Sequence, residues 1–190
     1  IIGTGYVGLV SGVCFSETGA EVYCVDINET KIKDLNQGII PIYEPTLDVY
    51  LNRNFSEGRL KFTTDLATAI KDSEIIFLAL PTPESEDGSA DLSYVLNMAK
   101  QLSTMITDYK IIVNKSTVPV GTAAKVQAIF DQNCKTKVDV VSNPEFLREG
   151  YAVEDFLKPD RIVIGTSSHR AIELMNKLYK PFVRQGNPII

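Results

Sequence analysis

Short apolar runs alternate with longer stretches of helical periodicity along this chain. Several of the runs are continuous in Val, Ile and Leu, which is typical of parallel strands that helices cover on both faces. This alternation predicts right-handed βαβ units, and therefore an α/β fold with a Rossmann-like, doubly wound, mostly parallel sheet. The predicted strands are Glu21–Asp26, Leu60–Thr63, Glu74–Leu80, Lys110–Lys115, Val138–Ser142 and Arg161–Gly165.

The helices between these strands show themselves by spacing and by capping residues. Asn28 is a good N-cap for a helix over Glu29–Gln37, and Gly38 is suited to close it. Apolar residues three and four positions apart predict two longer helices, one through Leu92, Val95, Ala99, Leu102 and Ile106 and one through Ile172, Met175, Tyr179 and Phe182. A short helix is expected within Tyr151–Pro159, whereas Gly38–Pro45 and Pro81–Ala90 form long irregular segments of the kind that often carry function.

Composition narrows the class of protein. The 190 residues are 44% hydrophobic, enough for one well-buried domain. The net charge is −5 and the basic residues are scattered, so we expect no nucleic-acid partner. No apolar stretch approaches the roughly 18 residues of a membrane span, so we expect no membrane association.

Cysteine and histidine usage predicts neither disulfides nor a metal site. Cys14, Cys24 and Cys134 form no C-x-x-C pair, and each lies in or beside an apolar segment. We therefore expect small buried or half-buried thiols in a reduced, cytoplasmic protein. No metal-ligand spacing is present, and the single His169 is expected on the surface at the start of the last helix.

A glycine-rich turn stands at the start of the chain. Residues 3–8 read Gly-Thr-Gly-Tyr-Val-Gly, the G-x-G-x-x-G pattern. In a strand–turn–helix unit the first glycine permits the tight turn and the second lets the backbone approach a pyrophosphate. The third lets helix and strand pack closely. By itself the pattern also fits an ordinary glycine-rich turn.

The strand that follows ends in an acidic residue. Asp26 lies roughly 20 residues after Gly3, where a carboxylate accepts hydrogen bonds from the ribose hydroxyls of NAD and repels the extra phosphate of NADP. No Arg adjoins it, and Lys31 is the nearest base, placed to bracket the adenosine. Turn and carboxylate together predict NAD as the cofactor.

Polar residues follow three more strands. Thr82 lies between two prolines, and Ser116 and Thr117 precede a predicted helix start marked by Pro119 and Gly121. Ligands of open parallel sheets bind at the carboxyl ends of the strands, so these hydroxyls are expected in one cleft. Glu145 and Glu149 are four residues apart, and a helical start would place both carboxylates on one face for general acid/base work. Each of these segments also fits plain turn chemistry or, for the glutamates, a solvated helix face with Arg148 as counter-charge.

Taken in order, the motifs resemble the UDP-glucose 6-dehydrogenase family, a branch of the UDP-glucose/GDP-mannose dehydrogenases, over essentially the whole chain. They are GTGYVGL from Gly3, IYEPTL from Ile42, PTP from Pro81 with DGSADLS from Asp87, KSTVPVG from Lys115, NPEFLREG from Asn143 and KPDRIVIG from Lys158. The last two favour UDP-glucose over the GDP-mannose and UDP-N-acetylmannosamine relatives, in which the stretch after Pro-Glu differs.

The resemblance implies a reaction and a set of roles. The family oxidises the C6 alcohol of UDP-glucose twice with NAD⁺ to give UDP-glucuronate, through an aldehyde, a thiohemiacetal and a cysteine thioester that water hydrolyses. Thr117 would hold the water or substrate oxygen, Glu145 would be the general base, and Glu149 would line the nicotinamide and the sugar. The implied cofactor residues are Gly3, Thr4, Gly5, Tyr6, Val7, Gly8, Asp26, Lys31, Thr82, Ser116, Thr117, Val118 and Glu149, and the implied substrate residues are Glu145, Phe146, Leu147, Arg148 and Glu149.

The chain departs from the family by what it lacks. The family's nucleophilic Cys and its Lys, Asn and Asp partners lie beyond residue 190, and none of the three cysteines present occupies the family's Cys motif. We therefore expect residues 1–190 to be the NAD-binding Rossmann domain of a longer enzyme, without its central helix, its homodimer or higher-order interface and its UDP-binding domain. Such a fragment is expected to bind NAD weakly and not to turn over.

Two other readings stay open at this point. One is a different NAD-dependent enzyme that acts on another nucleotide sugar, a 3-hydroxyacid or 6-phosphogluconate. The other is a non-catalytic NAD-sensing module. Only the two glutamates argue against this reading, because a sensor does not need carboxylates at the nicotinamide end of the cleft.

Overall fold

The computed structural model describes residues 1–183 and 186–190. Strands and helices alternate along the chain, as the apolar pattern predicts. The strands are β1 Val22–Val25, β2 Leu60–Thr63, β3 Ile75–Leu78, β4 Lys110–Asn114 and β5 Val138–Ser142. The helices are α1 Tyr6–Glu17, α2 Glu29–Leu35, α3 Leu47–Ser56, α4 Leu66–Asp72, α5 Ser93–Met105, α6 Thr122–Asn133, α7 Ala152–Leu157 and α8 His169–Tyr179.

All paired strands run parallel. β1 pairs with β2, and β4 lies between β3 and β5. Ile2 joins the two sets, because it bridges Val25 on one side and Leu78 on the other. The chain therefore begins in the middle of the sheet, between β1 and β3, which is the point where the direction of winding reverses. The predicted Rossmann-like α/β architecture is confirmed.

Side chains of successive strand residues point to opposite faces, and helices bury both. On β4, Ile111 and Val113 join the core beneath α1, α7 and α8, whereas Ile112 packs with Val126 and Phe130 of α6. This explains why β4 reads as a continuous apolar run instead of an alternating one. All five of its residues are buried.

Aromatic rings fill the larger of the two cores. Phe15 of α1 lies at the centre, with its ring 5.0 Å from those of Phe77 and Phe156, 5.4 Å from Tyr179 and 5.9 Å from Phe182. Edge-to-face pairs of this kind add to the free energy gained by burial. Phe15 thereby holds α1, β3, α7 and α8 together behind the carboxyl edge of the sheet.

The predicted strand Arg161–Gly165 is wrong. The segment forms only isolated bridges, from Gly165 to Ser142 at the end of β5 and from Ile162 to Ile189. Its amides are divided between two partners, because Ile162 donates to the carbonyl of Pro188 while Gly165 donates to that of Ser142. Apolar residues alone predicted a strand here, but the segment forms only three backbone hydrogen bonds with residues 188–190 and one bridge to β5, too few for a strand.

Helix ends also differ slightly from the prediction. Asn28 caps α2 as expected, since its side chain accepts a hydrogen bond from the Lys31 amide, but α2 ends at Leu35 instead of Gln37. Gly38, with a φ of +77°, then turns the chain away. The last helix begins at the exposed His169, as predicted. In the part of the chain that the structure describes, no helix combines the length and hydropathy of a membrane span.

The aromatic core yields a prediction on stability. Phe15→Ala should lower the free energy of unfolding by about 3–5 kcal/mol, because it removes a fully packed ring and leaves a cavity among four others. Urea unfolding followed by circular dichroism measures the change. Val120→Ala, at a fully exposed position, should stay within about 0.5 kcal/mol of the unaltered protein. Equal losses in the two variants would contradict the central role of Phe15.

Candidate functional site

Two glycines let the start of α1 pack against the sheet edge. Gly3 has a φ of +97°, and a Cβ added there would lie 2.3 Å from the Ala79 carbonyl oxygen. A Cβ on Gly8 would lie 1.9 Å from the carbonyl oxygen of Gly3. Neither position tolerates a side chain without a backbone shift. The turn and the first helix therefore approach each other as closely as the glycine pattern predicts.

The middle glycine leaves open space instead. A Cβ on Gly5 would meet no atom within 4 Å, and this residue lines a cleft. Gly5 caps α1 without a side-chain hydrogen bond, and the first turn of α1 holds no acidic residue. The amides at the start of α1 and the positive end of its dipole are thus available to an anion in the cleft. A pyrophosphate suits this site.

Asp26 is held in place by four donors. Its Oδ2 accepts from the Thr4 amide at 3.0 Å, the Thr4 hydroxyl at 2.6 Å and Lys31 Nζ at 3.0 Å, while Oδ1 accepts from the Asn28 amide at 3.0 Å. Burial alone would raise the pKa of Asp26, but these donors outweigh it and lower the pKa to about 2. The carboxylate is therefore ionised and ready to accept hydrogen bonds from ribose hydroxyls.

The cleft has a volume of about 770 Å³ and opens along the carboxyl edge of the sheet. The predicted site residues that line it come from five separate segments of the chain. The predicted site residues that line it are Gly3, Gly5, Tyr6, Val7, Asp26, Lys31, Thr82, Ser116, Thr117 and Glu145. The Thr82 hydroxyl donates to the Thr117 carbonyl at 3.0 Å, which ties two of these segments directly to each other.

Four of the predicted cofactor residues do not line this cleft. Thr4 and Gly8 are buried behind it, where Thr4 fixes Asp26 and Gly8 packs on Gly3. Val118 and Glu149 also lie outside its wall, and Glu149 is exposed to solvent. The structure thus gathers most of the predicted cofactor residues, and Glu145 but not Glu149 of the carboxylate pair.

Apolar residues near Asp26 were not among the predicted site residues. Ile27, Leu66, Tyr94 and Met98 line the same cleft, and Ile27 is 92% exposed. Flat bases bind against apolar walls of this kind. For Ile27 the signal was present in the sequence, since an apolar residue directly after a strand-terminal aspartate has no core position to fill. Tyr94 and Met98 lie on α5 and are brought near only by the fold.

The segment from Asn143 to Gly150 is a loop, so the expected helical start that would put Glu145 and Glu149 on one face is wrong. The Glu145 carboxylate accepts a hydrogen bond from the Leu147 amide two residues on, a local bond that competes with helix formation. Arg148 pairs with Asp155 of α7, with Nε 3.0 Å from Oδ2, and does not serve as counter-charge to the glutamates.

A second cavity of about 460 Å³ lies on the other side of this loop. Of the five predicted substrate residues, Glu145, Phe146, Leu147 and Arg148 line it, and Glu149 does not. Lys115 and Glu145 line both cavities and therefore form the wall between them. This junction is where a cofactor in the first cavity and a substrate in the second would meet.

Lys115 is a functional candidate that the sequence analysis cited only as part of a motif. It is buried, with Nζ 3.2 Å from Asn143 Oδ1 and 3.3 Å from the Tyr179 hydroxyl, above the ring of Phe156. Burial lowers the pKa of Lys115 to about 8, and the negative charge of Glu145 opposes that shift. A lysine that ends an otherwise apolar strand is the signal that could have identified it.

Neither a metal centre nor a reactive thiol accompanies these residues. Residues 1–183 and 186–190 contain no cluster of three His, Cys, Asp or Glu side chains that could hold a metal ion. Cys14 and Cys24 are buried and Cys134 is half-buried, all as free thiols. Burial raises the pKa of Cys24 to about 11 and that of Cys14 further, so neither is a thiolate at neutral pH.

Comparison with known proteins points to one family. The sequence profile of the UDP-glucose/GDP-mannose dehydrogenase family, NAD binding domain, matches residues 1–183. The chain is 52% identical over 184 residues to the UDP-glucose 6-dehydrogenase TuaD of Bacillus subtilis, a match that covers 96% of this chain and 40% of that protein.

Solved structures agree. A UDP-glucose dehydrogenase from Pyrobaculum islandicum superposes with a TM-score of 0.93 at 40% identity, over 100% of this chain and 44% of that one. A GDP-mannose dehydrogenase from Pseudomonas aeruginosa, solved as a ternary complex, superposes with a TM-score of 0.93 at 35% identity, over the same shares of the two chains. The chain thus spans less than half the length of the relatives it matches.

The donors around Asp26 yield a prediction on pH. The pKa lies at about 2, below the ordinary value of 3.8, so the carboxylate stabilises the folded state above about pH 4 and loses this effect as the pH falls toward 2. The difference in free energy of unfolding between the unaltered protein and Asp26→Asn should shrink over that interval, as urea titrations at stepped pH would show. Asp72→Asn, which removes a surface carboxylate bonded to Tyr23, is the control, and a difference for Asp26→Asn that stays constant from pH 7 to pH 2 would refute the prediction.

Proposed function

The chain belongs to the UDP-glucose/GDP-mannose dehydrogenase family, whose NAD binding domain it matches, and on that basis we propose that it is part of an enzyme that oxidises UDP-glucose to UDP-glucuronate. It supplies the NAD site and one side of the sugar site. The nearest support for the substrate is the 52% identity to a UDP-glucose 6-dehydrogenase. The motifs NPEFLREG from Asn143 and KPDRIVIG from Lys158 favour the same sugar nucleotide.

One observation carries the proposal: Gly5, Asp26 and Glu145 line a single cleft. The three residues serve different tasks, and the chain brings them together from the turn before α1, the end of β1 and the loop after β5. An anion site, a ribose acceptor and a carboxylate base in one groove are what an NAD-dependent alcohol oxidation requires.

NAD fits the residues present. Its pyrophosphate would lie at Gly5 and the start of α1, its adenosine ribose at Asp26, and its adenine against Ile27 and the neighbouring apolar wall. When bound, NAD supplies the two-electron acceptor for the substrate alcohol. Lys31, paired with Asp26, brackets the adenosine side, and Thr82, Ser116 and Thr117 lie along the opposite wall.

The residues of this chain then handle the substrate oxygen and its proton. Glu145 lies at the wall between the two cavities. It acts as the base that removes a proton from water, a task that suits a carboxylate because its side chain accepts the proton while it stays attached to the protein. The exposed Thr117 hydroxyl, in the same cleft, orients the water or the substrate oxygen. Phe146–Arg148 line the second cavity and contact the sugar, whereas Glu149 is exposed and lines neither cavity.

The proposed reaction also requires a cysteine, which this chain does not supply. The C6 alcohol is first oxidised to an aldehyde, and the cysteine thiol adds to that carbonyl as a thiohemiacetal. A second two-electron oxidation gives a thioester, and water activated by Glu145 displaces the thiol to leave the carboxylate. Two NAD⁺ are reduced for each UDP-glucuronate formed.

The full-length protein tests the proposal directly. NADH formation should be measured with UDP-glucose, GDP-mannose, UDP-N-acetylmannosamine, 6-phosphogluconate and a 3-hydroxyacid as substrates. UDP-glucose should give the highest kcat/KM, with two NADH per UDP-glucuronate. Turnover of another substrate in its place would assign the chain to a different NAD-dependent dehydrogenase.

Glu145→Gln separates an enzyme from an NAD sensor. Removing the base should slow turnover about 10²- to 10⁴-fold, and mass spectrometry should detect a protein-bound thioester that accumulates. Glu173→Gln removes an exposed glutamate of α8 and is the matched control. A sensor would show no difference between the two variants and no NADH formation from any nucleotide sugar.

Asp26 yields a second prediction, on cofactor choice. Asp26→Asn removes the charge that repels the 2′-phosphate of NADP and weakens the acceptor of the ribose hydroxyls. The ratio of kcat/KM for NADP to that for NAD should rise about tenfold or more, since adjacent like charges cost several kcal/mol. Glu29→Gln removes one exposed negative charge from the first turn of α2 and should leave the ratio near its starting value. An unchanged ratio in Asp26→Asn would contradict the role given to this carboxylate.

A further inference from the structure

Glu44 is a buried carboxylate without a cationic partner. It lies in the irregular segment before α3 and is only 5% exposed. No Lys or Arg in the described ranges forms an ion pair with it. Instead it accepts hydrogen bonds from the Tyr6 hydroxyl, from the Gly150 amide at 2.8 Å and from the Val153 amide at 3.4 Å. A buried charge is tolerated only when its donors stay in place.

These donors come from two different parts of the site. Tyr6 is the first residue of α1, and its side of the turn lines the NAD cleft. Gly150 ends the loop that carries Glu145 and Glu149, and Val153 lies in the first turn of α7. The Glu44 carboxylate therefore connects the dinucleotide turn to the loop that lines the second cavity.

The hydrogen bonds to Glu44 are fixed both at the loop and at the dinucleotide turn. Gly150 has a φ of +85°, so its amide is aimed at Glu44 by a backbone shape that few other residues adopt. Burial and the hydrogen bond to Glu44 raise the pKa of the Tyr6 hydroxyl to about 12, so that Tyr6 remains a donor at neutral pH. Hydrogen bonds to an ionised acceptor are stronger than neutral ones. A shift of Tyr6 is therefore passed to the loop through one carboxylate.

We propose that Glu44 is a positioning residue that couples occupancy of the NAD cleft to the placement of the sugar-side loop. A dinucleotide seated on the turn fixes Tyr6, Tyr6 fixes the carboxylate, and the carboxylate fixes the amides of Gly150 and Val153. This inference rests on the proposed function, because the loop that NAD would order is the one proposed to contact the substrate. Glu44 itself touches neither cavity.

The test uses the full-length protein and Tyr6→Phe, which removes the hydroxyl link and keeps the ring that lines the cleft. Hydrogen exchange measured with and without NAD should show slower exchange in residues 145–153 of the unaltered protein. In Tyr6→Phe this NAD-dependent slowing should be lost, while the slowing in residues 3–8 remains. The KM for UDP-glucose at saturating NAD should rise about five- to tenfold, more than the affinity for NAD falls.

Tyr109→Phe is the matched control. Tyr109 donates to the buried carboxylate of Asp139 at 2.7 Å, and its pKa is likewise raised to about 12 by burial and that carboxylate, but it lies outside both cavities. It should lower the melting temperature without changing the NAD-dependent exchange or the KM. Glu44→Gln, if it folds, should match Tyr6→Phe in both readouts.

The results of these measurements distinguish coupling through Glu44 from a purely structural role. If Tyr6→Phe keeps the NAD-dependent slowing of residues 145–153 and a KM within twofold, Glu44 is only a structural brace and the inference is wrong. The exchange measurement needs NAD alone. A full-length protein that fails to oxidise UDP-glucose would overturn the proposed function, whereas the coupling between turn and loop would still be decided by exchange.

Discussion

The contact between the backbone of the first turn and the start of α1 is the constraint on which the site depends. Gly3 lies against the carbonyl of Ala79, and Gly8 lies against the carbonyl of Gly3, at distances that leave no room for a Cβ. This double contact places the positive end of α1 at the middle of the sheet, where winding reverses. The cleft opens there because the helices before and after this point pack on opposite faces. Asp26, at the end of the neighbouring strand, is then within reach of Thr4 in the same turn.

The fold and the cleft that gathers most of the predicted cofactor residues were predictable from the sequence because their signals are local. A parallel strand covered on both faces tends to be a continuous apolar run, as β3 is, and β3 lies within the predicted strand Glu74–Leu80. The glycine turn and Asp26 are signals of the same kind, since each residue is required by the backbone or by the charge at its own position. The strand predicted over Arg161–Gly165 was wrong because strand pairing depends on a partner that the segment's own sequence does not reveal. Its bridges go to Ser142 and Ile189, at the ends of other segments.

The sugar side of the site was harder to predict, because its geometry comes from contacts distant in sequence. Spacing suggested that Glu145 and Glu149 share a helical face, but the Glu145 side chain bonds the Leu147 amide and the segment stays a loop. Nothing local reports that Glu44 accepts hydrogen bonds from residues more than a hundred positions away. Carboxylates that hold a loop in place have no sequence signature of their own, whereas carboxylates at strand ends do.

The distribution of ionisable groups bears on the proposed reaction. Glu145, the proposed base, lies at the wall between the two cavities together with the buried Lys115, whose pKa falls to about 8 because burial outweighs the opposing effect of Glu145. The three cysteines, by contrast, lie away from both cavities, and burial raises the thiol pKa of Cys14 and Cys24. None of these three cysteines is therefore placed to serve the proposed covalent step. A thiol that serves this step would have to reach the junction at Lys115 and Glu145, which line both the cofactor cleft and the second cavity.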